Sequence, residues 1–276
     1  MEEPFFFETD GVRLFAMAHR PTNAGAGVPG VVICHPYGEE KQLSDPVLVR
    51  CARLLARDGF PVLRFDCRGY GDSQGDLEDA TIGTQIADTF AAARMAREVL
   101  QVERIVFLGL RFGASVAVRA AERDADGAGL VLWCPIVKGS HYVDEMIRKR
   151  LFADMFDKRT PSRERILEEF ARQGRMEIEG QFLTRRMADE MSGMDLPTEV
   201  ANFRNPVFLS AIRTRAAAYT PYESLARAYE ALGAPCTFEI GGERPFWERS
   251  AMYHMYVPQD LLTLTRRWMR THWQGS

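Results

Sequence analysis

The sequence lacks the features that place a protein in a membrane or on a nucleic acid. No apolar run reaches the roughly 18 residues that a membrane-spanning helix needs. The first residues, Met1-Glu2-Glu3-Pro4, are acidic and do not resemble a basic leader. The formal net charge is only −3 and the pI is about 6.0. Neither nucleic acid nor an anionic membrane is therefore expected as a partner, and we predict a globular protein of the cytoplasm.

Cysteine is scarce and has no metal-binding spacing. The five cysteines are scattered without a C-x-x-C or Cys/His pattern, and three of them lie in or at the ends of apolar, strand-like runs. Reduced thiols in the core of a cytosolic protein are therefore expected, and disulfides are not. We expect neither a metal nor any other cofactor.

The 276 residues alternate between short apolar, β-rich runs and amphipathic helical stretches. This alternation predicts the α/β class, with a mostly parallel sheet flanked by helices. The predicted strands cover residues 12–19, 30–34, 61–66, 104–109, 129–134, 206–212 and 236–240, and the predicted helices cover residues 46–57, 81–100, 112–123, 221–232 and 257–272.

Residues 138–200 break this alternation. The segment is rich in Arg, Glu and Met, has a helical pattern and contains no strong strand. We predict that it is a helical insert, or cap, over the carboxyl edge of the sheet, where open α/β sheets bind ligands. The core then consists of residues 1–137 and 201–276.

The motif that identifies the fold lies at residues 105–115, where a strand runs into a tight turn and then a helix. Gly109 and Gly113 occupy both glycine positions of a G-x-S-x-G elbow, in which small residues are needed because backbone packs closely on backbone. The central position, which holds the nucleophilic serine of such elbows, is Arg111. Two landmarks precede it in the expected order: the start of an oxyanion-hole loop at residues 35–38 and the pattern D-x-R-G-x-G-x-S at residues 66–73. Together they predict the α/β-hydrolase fold.

The other two catalytic positions of that fold are also empty. An acid is expected after the strand at 206–212, but residues 213–219 contain no carboxylate. A base is expected after the strand at 236–240, but residues 241–247 contain no histidine. A serine nucleophile needs a base to take its proton and a third group to orient that base. Ordinary serine-triad hydrolysis is therefore predicted to be absent.

On these motifs the chain resembles α/β-hydrolase-fold proteins of the serine-aminopeptidase/lysophospholipase type. It is more closely similar to the branch labelled "hydrolase 2, exosortase A system-associated", on residues 3–6, 35–41, 109–113 and 245–247. That branch also has arginine at the elbow. The resemblance implies the fold and a bacterial, cytosolic setting beside exopolysaccharide genes, and it implies no particular activity.

Four polar residues near the elbow are candidates for chemistry. Arg111 either binds a ligand carboxylate or phosphate, together with the amino terminus of its helix, or forms an internal salt bridge with Glu39 or Glu40. Glu39 or Glu40 acts as a general base, or else one pairs with Arg111 and the other starts the next helix. His35 transfers a proton or has a positioning role.

Aromatic residues complete the candidate site. Tyr37, Phe112, Phe246 and Trp247 are expected to contact a ligand. Phe246 and Trp247 lie where the catalytic histidine loop belongs, and they form either an apolar wall for an acyl chain or packing for the final helix.

Three classes of function fit this pattern. The first is a catalytically degenerate protein that binds an anionic small molecule or acyl conjugate through Arg111, in the context of exopolysaccharide production. The second is an enzyme with non-triad hydrolase or lyase chemistry, and the third is a non-catalytic scaffold that binds partners through the insert. An acid against Arg111 favours the scaffold, whereas an open pocket into which Arg111 points favours binding or catalysis.

Overall fold

The computed structural model describes residues 1–25, 27–156, 160, 162–212, 219–249 and 256–275. Its strands are β1 (Glu2–Thr9), β2 (Val12–His19), β3 (Gly30–Cys34), β4 (Val62–Phe65), β5 (Ile105–Leu110), β6 (Gly127–Trp133), β7 (Arg175–Ile178), β8 (Gln181–Thr184), β9 (Val207–Ile212) and β10 (Cys236–Gly241). Its helices are α1 (Glu39–Arg57), α2 (Ile82–Leu100), α3 (Phe112–Ala121), α4 (Gly139–Phe156), α5 (Arg163–Gln173), α6 (Arg185–Ser192), α7 (Leu196–Glu199), α8 (Thr220–Ala231) and α9 (Gln259–Trp273), with a 3-10 turn at Leu77–Asp79.

Eight strands pair into one sheet in the order β1-β2-β4-β3-β5-β6-β9-β10. Strand β2 is antiparallel to both of its neighbours, and all pairings from β4 to β10 are parallel. Strands β3, β5, β6 and β9 are buried along their whole length, as expected for parallel strands that are covered on both faces. The predicted α/β class is confirmed.

Helices cover the two faces of the sheet as separate layers. Helices α2, α3 and α8 pack in one hydrophobic cluster, and α1 and α9 pack in the other. The indole of Trp133, on β6, donates a hydrogen bond of 2.9 Å to the hydroxyl of Thr265 on α9, which fixes the final helix against the sheet. Within the described residues, none of the helices has the length and apolar character that crossing a bilayer requires.

Three elements differ from the sequence-based predictions. Helix α1 begins at Glu39 and not at residue 46, because Gly38 (φ 63°) turns the chain there and two acidic residues occupy the first turn; Pro46 lies inside the helix. Strand β1 was not predicted, because its three consecutive phenylalanines hide the alternation between faces. The β7–β8 hairpin lies within residues 138–200, where only a helical pattern without a strong strand was expected; each of its strands has four residues, too few for a clear period.

The segment between β6 and β9 contacts loops at the carboxyl edge of the sheet. The Tyr37 hydroxyl, after β3, donates to the Phe182 carbonyl at 3.4 Å, and Arg111, after β5, contacts Glu145 on α4. The Glu190 carboxylate accepts the first free N–H of α2, that of Ile82, at 2.8 Å. The carboxyl ends of β3 and β5 therefore lie beneath this segment.

Candidate functional site

The turn between β5 and α3 holds Arg111 in a conformation that L-residues rarely adopt, with φ 53° and ψ −121°. Both flanking glycines are required by close packing. A Cβ on Gly113 would collide with the backbone carbonyl oxygens of Cys34 and His35, and one on Gly109 would collide with the backbone of Ala114. The local geometry of a nucleophile elbow is therefore present, with a guanidinium in place of the nucleophile.

The Arg111 side chain is buried between two carboxylates and two aromatic rings. Its Nε and Nη2 donate to Glu40 at 3.3 and 3.2 Å, and Nη2 also donates to both oxygens of Glu145 at 2.7 and 2.9 Å. The Cζ atom lies 5.3 Å from the ring centroid of Tyr142 and 5.1 Å from that of Trp247, within cation–π range. The predicted contact with Glu39 or Glu40 is confirmed for Glu40, and Glu145 is an additional partner.

This pairing keeps Arg111 charged. Burial by itself lowers the pKa of Arg111, but the charges of Glu40 and Glu145 outweigh burial and raise the pKa well above its ordinary value. The two partners differ in exposure: the Glu40 side chain is 3% exposed and that of Glu145 is 31% exposed. The first ion pair is thus part of the interior, and the second reaches the surface.

Glu40 links Arg111 to a second cation, while Glu39 belongs to a different pair. The Lys149 ammonium, on α4, lies 3.8 Å from Glu40 and 3.3 Å from Glu179. Glu39 pairs with Arg249 at 2.5 Å. Burial, together with the neighbouring Glu179 carboxylate, raises the pKa of Glu39 although Arg249 opposes this. The surroundings of Glu39 therefore favour its protonated form.

His35 has both ring nitrogens occupied by backbone groups. Nδ1 lies 2.8 Å from the Pro36 carbonyl oxygen and Nε2 accepts the Cys67 N–H at 3.1 Å, which corresponds to a neutral ring with its proton on Nδ1. Burial and the charge of Lys41 lower the pKa of His35. Proton transfer to a ligand would require one of these bonds to break, so the geometry favours the positioning role.

The four predicted aromatic contacts separate into two groups. Phe112 is fully buried and stacks with Tyr142 at 6.2 Å, and Phe246 packs edge-on against Trp133 at 6.5 Å in the same core cluster as α9. Phe246 therefore packs beside the final helix, and it also lines a cavity of about 630 Å³ along α1. Tyr37 lines a narrow crevice between α1 and β7–β8, and Trp247 covers Arg111.

The structure describes the loop in which the fold places its catalytic base, but not the residues in which the fold places its catalytic acid. The segment expected to lack an acid, residues 213–218, lies outside the described residues. In the loop after β10 the acidic residue Glu243 is buried, and its Oε1 accepts the Leu261 N–H at the start of α9 at 2.9 Å. Glu243 therefore satisfies a helix terminus, which is a structural use of a carboxylate.

Ser115, one turn into α3, is fully buried, and its hydroxyl donates to the Ile136 carbonyl at 2.8 Å. Across the described ranges, no cluster of three or more His, Cys, Asp or Glu side chains is arranged to hold a metal ion.

A cavity of about 180 Å³ opens beside Arg111, between the end of β6, α4 and the start of α8. Its polar lining includes Arg111, Lys138, His141, Glu145 and Arg148. Tyr142, Glu145 and Lys149 were not predicted as site residues. Their spacing of three and four residues, which places them on one face of α4, is the signal that would have identified them.

Comparisons with known proteins agree with this architecture. A sequence model of the family described as serine aminopeptidase, S33 matches residues 29–216. The quorum-quenching protein AidA of Acinetobacter baumannii is 29% identical over 136 residues, which cover 48% of this chain and 43% of that protein. The thiohydrolase aneE of Aspergillus aculeatus is 26% identical over 145 residues, which cover 51% and 43%. The matched region thus spans less than half the length of either relative.

Solved structures agree over nearly the whole chain. The ferulic acid complex of Est1E from Butyrivibrio proteoclasticus superposes with a TM-score of 0.71 at 17% identity, covering 97% of this chain and 98% of Est1E. Structural similarity at a sequence identity of 17% supports the fold alone. It agrees with the strand order and with the geometry of the elbow. The chain therefore has the α/β-hydrolase fold and belongs to the serine aminopeptidase family that matches residues 29–216.

Proposed function

We propose that this protein lacks triad hydrolysis and binds an anionic or acyl-linked small molecule at the carboxyl edge of its sheet. The observation that carries the proposal is the charged Arg111 at the elbow, held by Glu40 and Glu145. A charged guanidinium has no lone pair for attack on a carbonyl, and residues 241–247, directly after β10, contain no histidine to activate another nucleophile. The cationic lining of the cavity beside Arg111 supports an anionic ligand.

We further propose the division into a core of residues 1–137 and 201–276 and a cap of residues 138–200. Glu145 and Lys149 come from the cap, while Arg111 and Glu40 come from the core, so the ion pairs join the two units across the site. The resemblance to the exosortase A system-associated branch supports a role in bacterial exopolysaccharide production, and the name of the relative aneE, a thiohydrolase, supports an acyl-linked ligand.

Pairing of Arg111 with two carboxylates also favours a second candidate, the non-catalytic scaffold. In that case Arg111 only fixes the cap on the core, and no small molecule binds beside it. Non-triad catalysis by Glu39, Glu40 or His35 has less support, because each of these side chains is engaged with a cation or with backbone groups.

The proposal is tested by measuring ester hydrolysis and covalent labelling. Purified protein is expected to hydrolyse short-chain p-nitrophenyl esters no faster than buffer and to remain unlabelled by a fluorophosphonate probe. Arg111→Ser is expected to remain inactive, because no base accompanies the new hydroxyl. Stoichiometric labelling of the unmodified protein would overturn the proposal. Ser115→Ala and Ser140→Ala variants would then show which serine reacts.

A further inference from the structure

The cavity beside Arg111 carries more positive than negative charge. Lys138, Arg148 and Arg111 line it together with a single carboxylate, that of Glu145. Lys138 lies 3.6 Å from Asp195, and the charge of Arg148 acts on Asp144, one turn earlier on α4, where it helps to lower the pKa of that carboxyl after the larger effect of Arg163. A negatively charged group that enters the cavity therefore meets a lining with three cationic side chains and one carboxylate.

Glu145 is the exchangeable partner of Arg111. Glu145 accepts from a single guanidinium nitrogen, Nη2, at 2.7 and 2.9 Å, and its side chain is 31% exposed. Glu40 accepts from Nε and Nη2 in the interior. Lys149 lies four residues further along α4, so a displaced Glu145 has a second cation within one helical turn. Replacing Glu145 leaves Arg111 paired with Glu40, and no buried charge is left alone.

We infer that a small monocarboxylate enters this cavity and takes the place of Glu145 on Arg111. The inference rests on the proposed function and specifies its ligand class. A carboxylate is the group to which Nη2 of Arg111 already donates, so a ligand carboxylate accepts the same hydrogen bonds that Glu145 gives up.

The walls of the cavity define the body of the ligand. Pro135, Ile136, Val137 and Pro221 are apolar, and Tyr142 and Tyr222 contribute ring surfaces. The volume of about 180 Å³ holds roughly six water molecules at about 30 Å³ each. A planar or short hydrocarbon body of the size of benzoate or hexanoate fits this space, with its carboxylate toward Arg111 and its body against the apolar and aromatic side chains.

The test compares benzoate and hexanoate with their neutral amides by isothermal titration calorimetry on the full chain. We expect the acids to bind and the amides not to bind. Glu145→Gln removes the competing carboxylate with little change of shape. The ligand then no longer has to break the partly exposed Glu145–Arg111 ion pair, so acid binding should tighten about fivefold. Arg148→Gln should weaken acid binding, because it removes a cation from the lining.

Glu199→Gln is the matched control. Glu199 forms a bidentate pair with Arg119 of α3 at 2.5 and 2.7 Å and is 25% exposed, but it does not line the cavity. The Glu199→Gln variant should bind benzoate and hexanoate with the same affinity as the unmodified protein.

Three results would overturn the inference. The amides could bind as well as the acids, or the Glu145→Gln variant could bind the acids with unchanged or weaker affinity. The third result is that neither the unmodified protein nor the Glu145→Gln variant binds an acid. Fluorophosphonate labelling separates the two proposals. An unlabelled protein that binds no acid contradicts only this inference, whereas labelling contradicts the absence of triad hydrolysis whatever the acids do.

Discussion

Glu40→Gln is the substitution that best measures how the site is held together. Glutamine keeps the shape of the side chain but removes the charge that compensates Arg111 in the interior, where the Glu40 side chain is 3% exposed. Removing one partner of a buried ion pair destabilises proteins by about 3–5 kcal/mol, because the remaining charge stays buried without full compensation. Arg111 retains Glu145 here, so we expect the lower end, about 3 kcal/mol.

Glu145→Gln removes a charge from the same guanidinium at a more exposed position. Partly exposed pairs contribute at most about 1 kcal/mol. For a chain of this size, each kcal/mol changes the melting temperature by roughly 2–4 °C. Glu40→Gln should therefore lower the melting temperature by roughly 6–12 °C and Glu145→Gln by no more than about 4 °C.

Both variants are measured by differential scanning calorimetry at neutral pH and at low and high NaCl, with Glu199→Gln as the surface-pair control. Salt screens exposed pairs more than buried ones, so the effect of Glu145→Gln should shrink at high salt while that of Glu40→Gln persists. Equal losses of stability for Glu40→Gln and Glu145→Gln would refute the reasoning, since burial would then not determine the strength of the pair.

Two further predictions concern the fold. Gly113→Ala should abolish folded, soluble protein, because its Cβ would collide with two backbone carbonyl oxygens. Gly83→Ala, in α2, should fold normally when both are compared by circular dichroism, because its Cβ would meet only Thr81 Oγ1 at an ordinary contact distance of 3.6 Å. His19 is buried, and burial followed by the charge of Arg64 lowers its pKa from 6.5 to about 4. The unfolded chain therefore binds a proton between pH 6.5 and 4 that the folded chain does not, and stability should fall by about 2 kcal/mol across that window. His19→Gln should show a smaller fall in urea denaturation, and an unchanged pH profile would contradict this account.

Much of the fold was predictable because its central strands have strong local patterns. Strand β3 is a short, fully apolar run, β9 is apolar except for Ser210, and helix α2 begins with a capping box at Thr81. The missed strand β1 belongs to the sheet edge, where only Phe7 of its three phenylalanines is buried. A strand that is half exposed depends on its partner β2 for stability, and such a partner is not visible in local sequence.

The site was predictable where its residues adjoin a motif. Arg111 lies at the elbow and Glu40 lies beside the oxyanion-hole loop. Because a buried guanidinium needs a compensating charge, the sequence alone predicts that the two side chains meet. Glu145 and Lys149 lie 34 and 38 residues beyond Arg111 in a segment without a motif. Only the path of α4 across the sheet edge brings them to the site, and that path depends on tertiary packing.

The arginine, moreover, cannot be understood as an isolated replacement of a serine. A guanidinium at the elbow without acids would leave a buried charge alone, and the acids without the arginine would leave two neighbouring carboxylates in repulsion. Arg111, Glu40 and Glu145 therefore function as one unit. Glu40 also places negative charge next to the loop that begins the oxyanion hole, where it opposes an anionic tetrahedral intermediate. On the proposed function, esterase activity consequently requires more than a serine at position 111: the charge of Glu40 must be removed, and a base and an acid must be supplied.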